Sequence, residues 1–308
     1  MALPDFPVVS DEMLHAIAAQ HGIAAGSVAP MAQVGIFNAI YALGDRHVLR
    51  VPRQHQRFEG TALNEAVAVP LARAAGVRTP ALLVSDATRS ILPVAYGIYE
   101  RVEGRVLERA VSDPALVTAT WRELGRDLAR LHAAVTRSAA TELLSWDDKT
   151  DPRPLPAEIA RVGYFGAAEA EWLTRWLDRL APYAEAPGEA RFLHGDSQAS
   201  NLIVGAHSLD YVAVLDWGGC EWGDVSRDFA GVPLRAVPAM LEGYGESGRI
   251  DDGLRPRIVW RHLQIALHQL RGKPVPDYSW GERPIGMLLE VLRFFGEQRD
   301  EAWRAWGP

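Results

Sequence analysis

Two short apolar runs in the middle of the chain are flanked by side chains that could serve as oxygen ligands. The runs are 202–204 (LIV) and 211–215 (YVAVL), and a Gly-Ala-His-Ser turn follows the first. Asp196 precedes the first run, Asn201 opens it, and Asp216 follows the second. Apolar runs on either side of a turn indicate a β-hairpin. Because Mg²⁺ prefers carboxylate and amide oxygens, we predict a metal-dependent site at this hairpin.

The spacing of these residues indicates a particular chemistry. Asp196 and Asn201 are separated by four residues, as in the protein-kinase catalytic loop, where the Asp takes the proton of the attacking hydroxyl and the Asn binds a metal. A second Asp binds Mg²⁺ after the next strand there, and Asp216 fills that place. Each residue alone is an ordinary turn residue. The ordered set predicts phosphoryl transfer, which needs a positioned hydroxyl and cations over the phosphate oxygens.

Segment 192–230 extends this pattern. It contains His-Gly-Asp-x4-Asn, then hydrophobic-Asp-Trp, then Gly-Asp-x3-Asp. These motifs resemble the aminoglycoside phosphotransferase family, kinase-fold enzymes that include macrolide and tuberactinomycin-peptide antibiotic kinases and relatives of choline kinase. HGD and LDW stand where protein kinases have HRD and DFG. The resemblance covers about residues 30–300 and implies that Asp196 is the catalytic base and that Asn201 and Asp216 hold Mg²⁺.

The resemblance also implies supporting roles around the hairpin. Asp228 corresponds to a buried carboxylate that accepts backbone N–H groups of the catalytic loop. His194 is expected to orient this loop rather than to act as a base, and His132 is expected to be structural. Asp224 is interpreted as a helix cap, with a position facing the substrate as the alternative.

The nucleotide site is predicted mainly from the N-terminal half. Gly35 and Asn38 lie where the fold places a loop over the phosphates, and Gly35 would allow backbone N–H groups to approach them. The chain has only two lysines against thirty arginines. Arg50 is therefore predicted to replace the third-strand lysine that contacts phosphates. Glu65 is its expected partner on the following helix, and Glu59 is the alternative.

The resemblance implies that a short linker between the lobes binds the base of the nucleotide. The carbonyl of Glu100 and the N–H of Val102 would pair with adenine, and Tyr99 would flank it. We expect a nucleotide-binding lobe over residues 1–103 and a catalytic and acceptor-binding lobe over 104–308. The predicted fold is α+β and two-lobed, like a protein kinase, with a small N-terminal antiparallel sheet and a larger helical C-terminal lobe.

Local patterns predict the elements of the first lobe. A helix is expected over 11–21, with Ser10 as its N-cap and Gly22 after its end. Strands are expected in four segments, and a helix that Pro70 kinks or restarts is expected over 58–75. The predicted strand segments are 39–43, 47–51, 80–85 and 92–101.

Composition limits the possible partners and locations. The net charge of −7 disfavours nucleic acid and suits a cationic acceptor. No apolar run reaches about 18 residues, which is the length that spans a membrane, and the N-terminus lacks the pattern of a signal peptide. The single cysteine, Cys220, has no internal disulfide partner. We expect a cytoplasmic monomer or homodimer without nucleic-acid or membrane partners.

The predicted reaction moves the γ-phosphoryl group of ATP or GTP to a hydroxyl of a small molecule. An antibiotic is the first choice of acceptor: an aminoglycoside, a macrolide or a basic cyclic peptide. A metabolite kinase of the choline or amino-sugar type, a non-catalytic nucleotide-binding protein and a metal-dependent phosphohydrolase are the alternatives. Residues considered for binding a cationic acceptor are Asp151, Glu158, Glu246, Asp251, Asp277 and Glu282, with Tyr278 and Trp280 as possible stacking partners.

Overall fold

The computed structural model describes residues 3–31, 37–271, 285–297 and 299–308. The strands are β1 (Val28–Pro30), β2 (Asn38–Leu43), β3 (His47–Pro52), β4 (Leu82–Asp86), β5 (Tyr96–Glu100), β6 (Arg105–Val106), β7 (Arg191–Leu193), β8 (Leu202–Val204), β9 (Tyr211–Val214) and β10 (Glu221–Gly223). The helices are α1 (Asp11–Gln20), α2 (Gln56–Ala74), α3 (Leu107–Ala110), α4 (Thr118–Ala134), α5 (Leu155–Val162), α6 (Ala167–Glu185), α7 (Val237–Gly245), α8 (Leu254–Gln269), α9 (Gly286–Glu297) and α10 (Glu301–Arg304).

The strands form three antiparallel sheets. The first five strands build one sheet in the order β1-β2-β3-β5-β4. The others form a three-stranded sheet, β6-β8-β9, and a two-stranded sheet, β10-β7, among the helices of the second part. The predicted class, α+β with a small N-terminal antiparallel sheet and a larger helical part, is confirmed. The predicted lobe boundary at residue 103 falls between β5 and β6.

Helix α1 covers the five-stranded sheet. The Ser10 side chain accepts the N–H of Met13 at 3.2 Å, and the helix ends before Gly22, as predicted. Leu14 and Ile17 are buried in one apolar cluster with residues of β2, β3 and β5. Burial of this one face explains why a ten-residue helix, too short to be stable alone, is ordered here.

The predicted strands are present, but the last is shorter than expected. In the β2–β3 hairpin, Leu43 pairs with His47. Strand β5 begins at Tyr96 rather than at Leu92, although Leu92 and Val94 are buried in the same apolar cluster. Buried positions are apolar whether or not their backbone pairs with a neighbouring strand. The sequence pattern alone therefore does not distinguish a strand from a buried segment outside the sheet.

Helix α2 continues through Pro70 without a break. The predicted restart does not occur, although proline removes one hydrogen bond from a helix. The predicted kink stays a prediction. Ala68, Val69 and Ala72 pack into the large apolar core on both sides of Pro70. We attribute the continuity to this packing, because tertiary contacts contribute more to helix stability than a single backbone bond.

The large apolar core surrounds the hairpin predicted from the sequence. Strands β8 and β9 pair antiparallel, with Leu202 opposite Val214, and β6 pairs with the outer side of β8. Leu202, Val204 and Val214 are fully buried against the large core. Both ends of the hairpin are therefore fixed by packing, which limits the movement of the polar residues beside it. Among the described residues, no helix has the length and apolarity needed to cross a bilayer.

Helices α4 and α7 approach so closely that glycine is required on both. A Cβ at Gly125 would lie 2.0 Å from the Met240 carbonyl oxygen, and one at Gly243 would lie 1.9 Å from the Arg122 carbonyl oxygen. These contacts are with backbone, which cannot move away as a flexible side chain can. The two helices are therefore held at a distance that only paired glycines permit.

We predict that Gly125→Ala lowers the free energy of unfolding by about 3 kcal/mol, because overpacking forces the backbones of α4 and α7 apart. The matched control is Gly60→Ala within α2, where a Cβ would meet nothing within 4 Å. That change should stabilise the protein by about 0.5–1 kcal/mol, since alanine favours helix. Urea unfolding measures both, and equal effects of the two variants would contradict the close approach.

Candidate active site

A buried carboxylate holds the loop that carries Asp196. Asp228 is fully buried, and its two oxygens accept the backbone N–H groups of His194 at 2.9 Å and Gly195 at 2.7 Å. His132 also hydrogen-bonds to Asp228 at 3.0 Å. Burial opposes ionisation, but the hydrogen bonds and charge of His132 and the backbone bonds hold the pKa of Asp228 below its ordinary value. The predicted supporting role of Asp228 and the structural role of His132 are confirmed by these contacts.

His194 joins the loop to the end of the hairpin. Its Nδ1 accepts the N–H of Asp196 at 3.1 Å, and its Nε2 donates to the carbonyl of Leu215 at 3.0 Å. The ring also packs against Trp217, with 4.5 Å between centroids. Because both ring nitrogens are engaged, His194 has the geometry of an orienting residue rather than a base.

Two side-chain amides converge on the carboxylate of Asp196. Asn201 Nδ2 donates to Asp196 Oδ2 and to its backbone oxygen, both at 2.9 Å. Gln198 Nε2 donates to the same Oδ2 at 3.0 Å. Asp196 is partly exposed, and its Oδ1 accepts no hydrogen bond from the described part of the chain. The carboxylate therefore has one oxygen held by the protein and one open to a ligand.

The loops on the two sides of the site touch through backbone. Gly195 has φ +80°, and a Cβ there would lie 2.1 Å from the carbonyl oxygen of Gly219. Asp216, at the end of β9, is one of two non-glycine residues with positive φ, +68°, in the described ranges. The carbonyl of Asn201 accepts the N–H of Leu215 at 2.8 Å. These contacts bring Asp196, Asn201 and Asp216 to one end of the hairpin.

Arg50 connects this end of the hairpin to the small sheet. Its guanidinium donates to Glu65 at 2.8 Å and to Asp216 at 3.0 Å. The phenol of Tyr99 donates to the other oxygen of Glu65. Glu65 is therefore the partner of Arg50, whereas Glu59 pairs with Arg89.

The charges in this network affect one another. Burial lowers the pKa of Arg50, but Glu65 and Asp216 outweigh it and raise the pKa above its ordinary value. Burial raises the pKa of Glu65 to about 7 against the opposing charge of Arg50. Burial would also raise the pKa of Asp216, but Arg50 holds it below its ordinary value. Asp216 is thus kept ionised, as a metal ligand must be.

Helix α2 contacts the turn that follows Asp216. Asn64 Nδ2 donates to the carbonyl of Gly218 at 3.0 Å, and a Cβ at Gly218 would lie 2.7 Å from the Cβ of Thr61. Thr79, beyond the helix, accepts the indole N–H of Trp217 at 3.0 Å. The position of Glu65 is therefore coupled to the position of Asp216 through several contacts besides Arg50.

Asp224 is a cap, as predicted. It accepts the N–H of Ser226 at 3.0 Å and the N–H of Gly188 at 2.8 Å, and it pairs with Arg257 at 3.0 Å. It is only 4% exposed, and it also lines a cavity with Asp151, Arg153 and Trp260, so the alternative position facing a substrate stays a prediction.

The remaining residues predicted for the nucleotide lie on the small sheet and its linker. Asn38 is the first residue of β2, Glu100 is the last of β5, and Val102 follows in the segment before β6. Gly35 lies outside the described residues. Tyr99 is 7% exposed, and its hydroxyl donates to Glu65 and so supports the ion pair. The predicted position of Tyr99 beside the base stays a prediction.

The carboxylates considered for a cationic acceptor already have arginine partners where the structure describes them. These pairs are Asp151–Arg153, Glu158–Arg271, Glu246–Arg126 and Asp251–Arg257. Asp277 and Glu282, with Tyr278 and Trp280, lie outside the described residues. An acceptor would have to compete with an arginine at each of the four described carboxylates.

The donor set fits a magnesium ion that is bound mainly through a nucleotide. The side-chain nitrogen of Asn201 donates to Asp196, which leaves the side-chain oxygen Oδ1 available for a metal. Asp216 is an ionised carboxylate. Within the described residues, no group of three or more His, Cys, Asp or Glu could hold a metal by itself. Mg²⁺ commonly takes one or two protein oxygens and completes its shell with phosphates and water, and Asn201 and Asp216 match that pattern.

Sequence reasoning missed several residues that build the site. Gln198 lies inside the four-residue gap of the motif, and its contact with Asp196 depends on the turn of the loop. Asn64 and Thr61 contact Gly218 from a helix more than 150 residues away in the chain. Only their proximity to Glu65 in sequence could have indicated them.

Solved structures with the same architecture have the kinase-like fold of small-molecule phosphotransferases. The GDP complex of aminoglycoside 2′-phosphotransferase-IIIa is 18% identical, with TM-score 0.64, and the match covers 91% of this chain and 98% of that one. Spectinomycin phosphotransferase APH(9)-Ia, solved with ADP and spectinomycin, is 13% identical, with TM-score 0.57 and 96% of each chain covered. Macrolide 2′-phosphotransferase MphH from Brachybacterium faecium is 23% identical, with TM-score 0.57, covering 84% of this chain and 90% of that one.

A model of the phosphotransferase enzyme family, APH, matches residues 33–258. The chain therefore belongs to this family, whose members transfer phosphoryl groups to hydroxyl groups of small molecules. The family and the kinase-like fold expected from the motifs are confirmed. A comparison with curated proteins found no significant match.

We predict that Asp228→Asn lowers kcat by about a hundredfold, because an amide NH₂ would face a backbone N–H and displace the loop that carries Asp196. It should also lower the free energy of unfolding by about 2–3 kcal/mol, since a buried donor loses its acceptor. Steady-state phosphotransfer and urea unfolding measure the two effects. Asp210→Asn, on the exposed hairpin turn, is the control, and wild-type kcat in Asp228→Asn would contradict the supporting role.

His262 should make the protein acid-sensitive. Its Nε2 donates to the carbonyl of Phe229 at 3.0 Å, next to Asp228, and burial lowers its pKa to about 4 from an ordinary 6.5. The unfolded chain binds more protons between these values, so the free energy of unfolding falls by about 3 kcal/mol as pH drops from 6.5 to 4. His262→Gln, which keeps a donor, should remove this part of the pH dependence in urea unfolding. His207→Gln on the hairpin turn is the control, and an unchanged pH dependence in His262→Gln would contradict the prediction.

Proposed function

We propose that this protein transfers the γ-phosphoryl group of ATP or GTP to a hydroxyl of a small-molecule antibiotic. The observation that carries the proposal is the meeting of Asp196, Asn201 and Asp216 at one end of the hairpin, joined to the small sheet by the Arg50–Glu65 pair. Family membership supports the reaction class. The nucleotide as co-substrate is supported by related structures that contain GDP or ADP.

Asp196 is assigned as the group that positions and deprotonates the acceptor. Its open Oδ1 takes the proton of the acceptor hydroxyl, whose oxygen forms a bond to the γ-phosphorus. The bond from that phosphorus to the β,γ-bridging oxygen breaks, and the electron pair leaves on the nucleoside diphosphate. The products are a phosphate monoester and the diphosphate, and the proton passes from Asp196 to solvent.

The other residues are assigned to the nucleotide and its metal. Mg²⁺, when bound by Asn201 and Asp216, would neutralise charge on the phosphate oxygens. Arg50, held by Glu65 and Tyr99, would contact the phosphates from the small sheet. Gly35 and Asn38 are proposed for the loop over the phosphates, and the backbone of Glu100 and Val102 for the base.

An antibiotic acceptor is preferred over a metabolite because of the related structures. These include a complex with GDP and kanamycin, a complex with ADP and spectinomycin, and a macrolide 2′-phosphotransferase. We propose an aminoglycoside, a macrolide or a basic cyclic peptide such as a tuberactinomycin as the acceptor, and resistance as the outcome in a host cell. The net charge of −7 is compatible with a cationic acceptor. A cytoplasmic location, as monomer or homodimer, belongs to the same proposal.

A phosphorylation screen tests the acceptor class. The wild-type protein is incubated with γ-³²P-labelled ATP or GTP, Mg²⁺ and panels of antibiotics, choline and amino sugars. Label is expected on an antibiotic hydroxyl, and expression should raise the inhibitory concentration of that drug for a sensitive bacterium. Label only on choline or an amino sugar would replace the antibiotic proposal with a metabolite kinase. Nucleotide hydrolysis that no acceptor accelerates would favour a phosphohydrolase.

We predict that Asp196→Ala lowers kcat by about a thousandfold, because the positioned base is lost, while nucleotide affinity changes less than about twofold, since Asp196 is not a metal ligand in this assignment. Asp216→Asn should instead weaken binding of the Mg²⁺ nucleotide, as measured by titration calorimetry. Asp210→Asn is the matched control for both. Wild-type turnover in Asp196→Ala would remove the assignment of the base.

A further inference from the structure

The turn around Gln198 fixes the backbone from which its side chain extends. The backbone N–H of Gln198 donates to the carbonyl of Asp196 at 2.9 Å, and the carbonyl of Gln198 accepts the N–H of Asn201 at 2.9 Å. Both backbone groups of Gln198 are thus held within the loop that carries the base. Little freedom remains except in the side chain itself, whose amide nitrogen lies 3.0 Å from Asp196 Oδ2.

Asn201 and Gln198, which both donate to Asp196 Oδ2, differ in their other contacts. Asn201 also supplies an oxygen proposed for the metal, so its orientation depends on the metal nucleotide. Gln198 is exposed and makes no other side-chain hydrogen bond within the described residues. It can therefore hold the carboxylate in the same plane whether or not the metal is bound.

From this geometry, and resting on the proposed function, we propose that Gln198 is a positioning residue for Asp196. Its amide fixes Oδ2 and so directs Oδ1 toward the incoming hydroxyl. Being uncharged, it orients the carboxylate without forming an ion pair that would compete with the acceptor for the base. Gln198 would affect the reaction only through the orientation of Asp196. This distinguishes its role from direct binding of the acceptor or of the phosphates.

Gln198→Met tests this role, because methionine keeps the length of the side chain and removes the donor. We expect kcat to fall about tenfold, since a misplaced reacting group loses rate, while KM for the acceptor and Kd for the nucleotide stay within about twofold. Gln198→Glu, which has the same shape without a donor, should fall at least as far. Gln56→Met makes the same change at the exposed start of α2 and serves as the control.

A double-mutant cycle shows whether Gln198 acts through Asp196. Asp196→Ala and Asp196→Ala/Gln198→Met should have the same rate within about twofold, because the group that Gln198 positions is absent. The rates are measured with the acceptor found in the screen. They are also measured with water as acceptor, by release of phosphate from γ-³²P-labelled nucleotide, so that the cycle needs no identified antibiotic.

The outcomes separate this inference from the proposed function. If Asp196→Ala loses activity but Gln198→Met and Gln198→Glu keep wild-type kcat, the positioning role is wrong and the reaction stands. A raised acceptor KM with unchanged kcat would assign Gln198 to acceptor binding and overturn the inference. The inference would also be overturned if Gln198→Met lowered the rate by the same factor in the wild-type protein and in Asp196→Ala. Because Gln198 is exposed, circular dichroism and thermal unfolding should show unchanged folding in each variant.

Discussion

The ionised carboxylate of Asp228 is the constraint on which the catalytic loop depends. It is fully buried, yet it accepts two successive backbone N–H groups and a histidine. A buried charge is costly unless hydrogen bonds compensate it. Those bonds fix the backbone at residues 194 and 195, and the backbone of Asp196 follows from that conformation. Asp196, the proposed base, is therefore positioned by a carboxylate that is itself fully buried.

A second set of contacts joins β3 and α2 to the turn that follows β9. Arg50 bridges Glu65 on α2 and Asp216 after β9, while Asn64 and Thr61 of α2 contact Gly218. The residues proposed for the phosphates and for the metal thus occupy one network. In the proposed reaction, Arg50 would contact the phosphates and Asp216 would hold the Mg²⁺, which would neutralise charge on the phosphate oxygens.

The sequence was informative where chemistry and secondary structure shared one short segment. The hairpin, Asp196, Asn201 and Asp216 lie within about twenty residues, so their relative positions follow from one turn and two strands. Arg50 and Glu65 were predictable because the kinase fold pairs a cation on the third strand with a glutamate on the following helix. The acceptor residues could not be found in this way. Each of the four described carboxylates proposed for an acceptor has an arginine beside it, and only packing decides such pairings.

The sequence by itself determined the class and the reaction type and indicated Asp196 as the candidate base, because these depend on residue types at short, fixed spacing. The tertiary structure alone decided that α2 runs through Pro70, that Tyr99 supports Glu65, and that two amides hold Asp196 by one oxygen. The physical reason is distance along the chain. Short-range geometry is set by backbone rules, whereas contacts between distant segments depend on how the whole core packs.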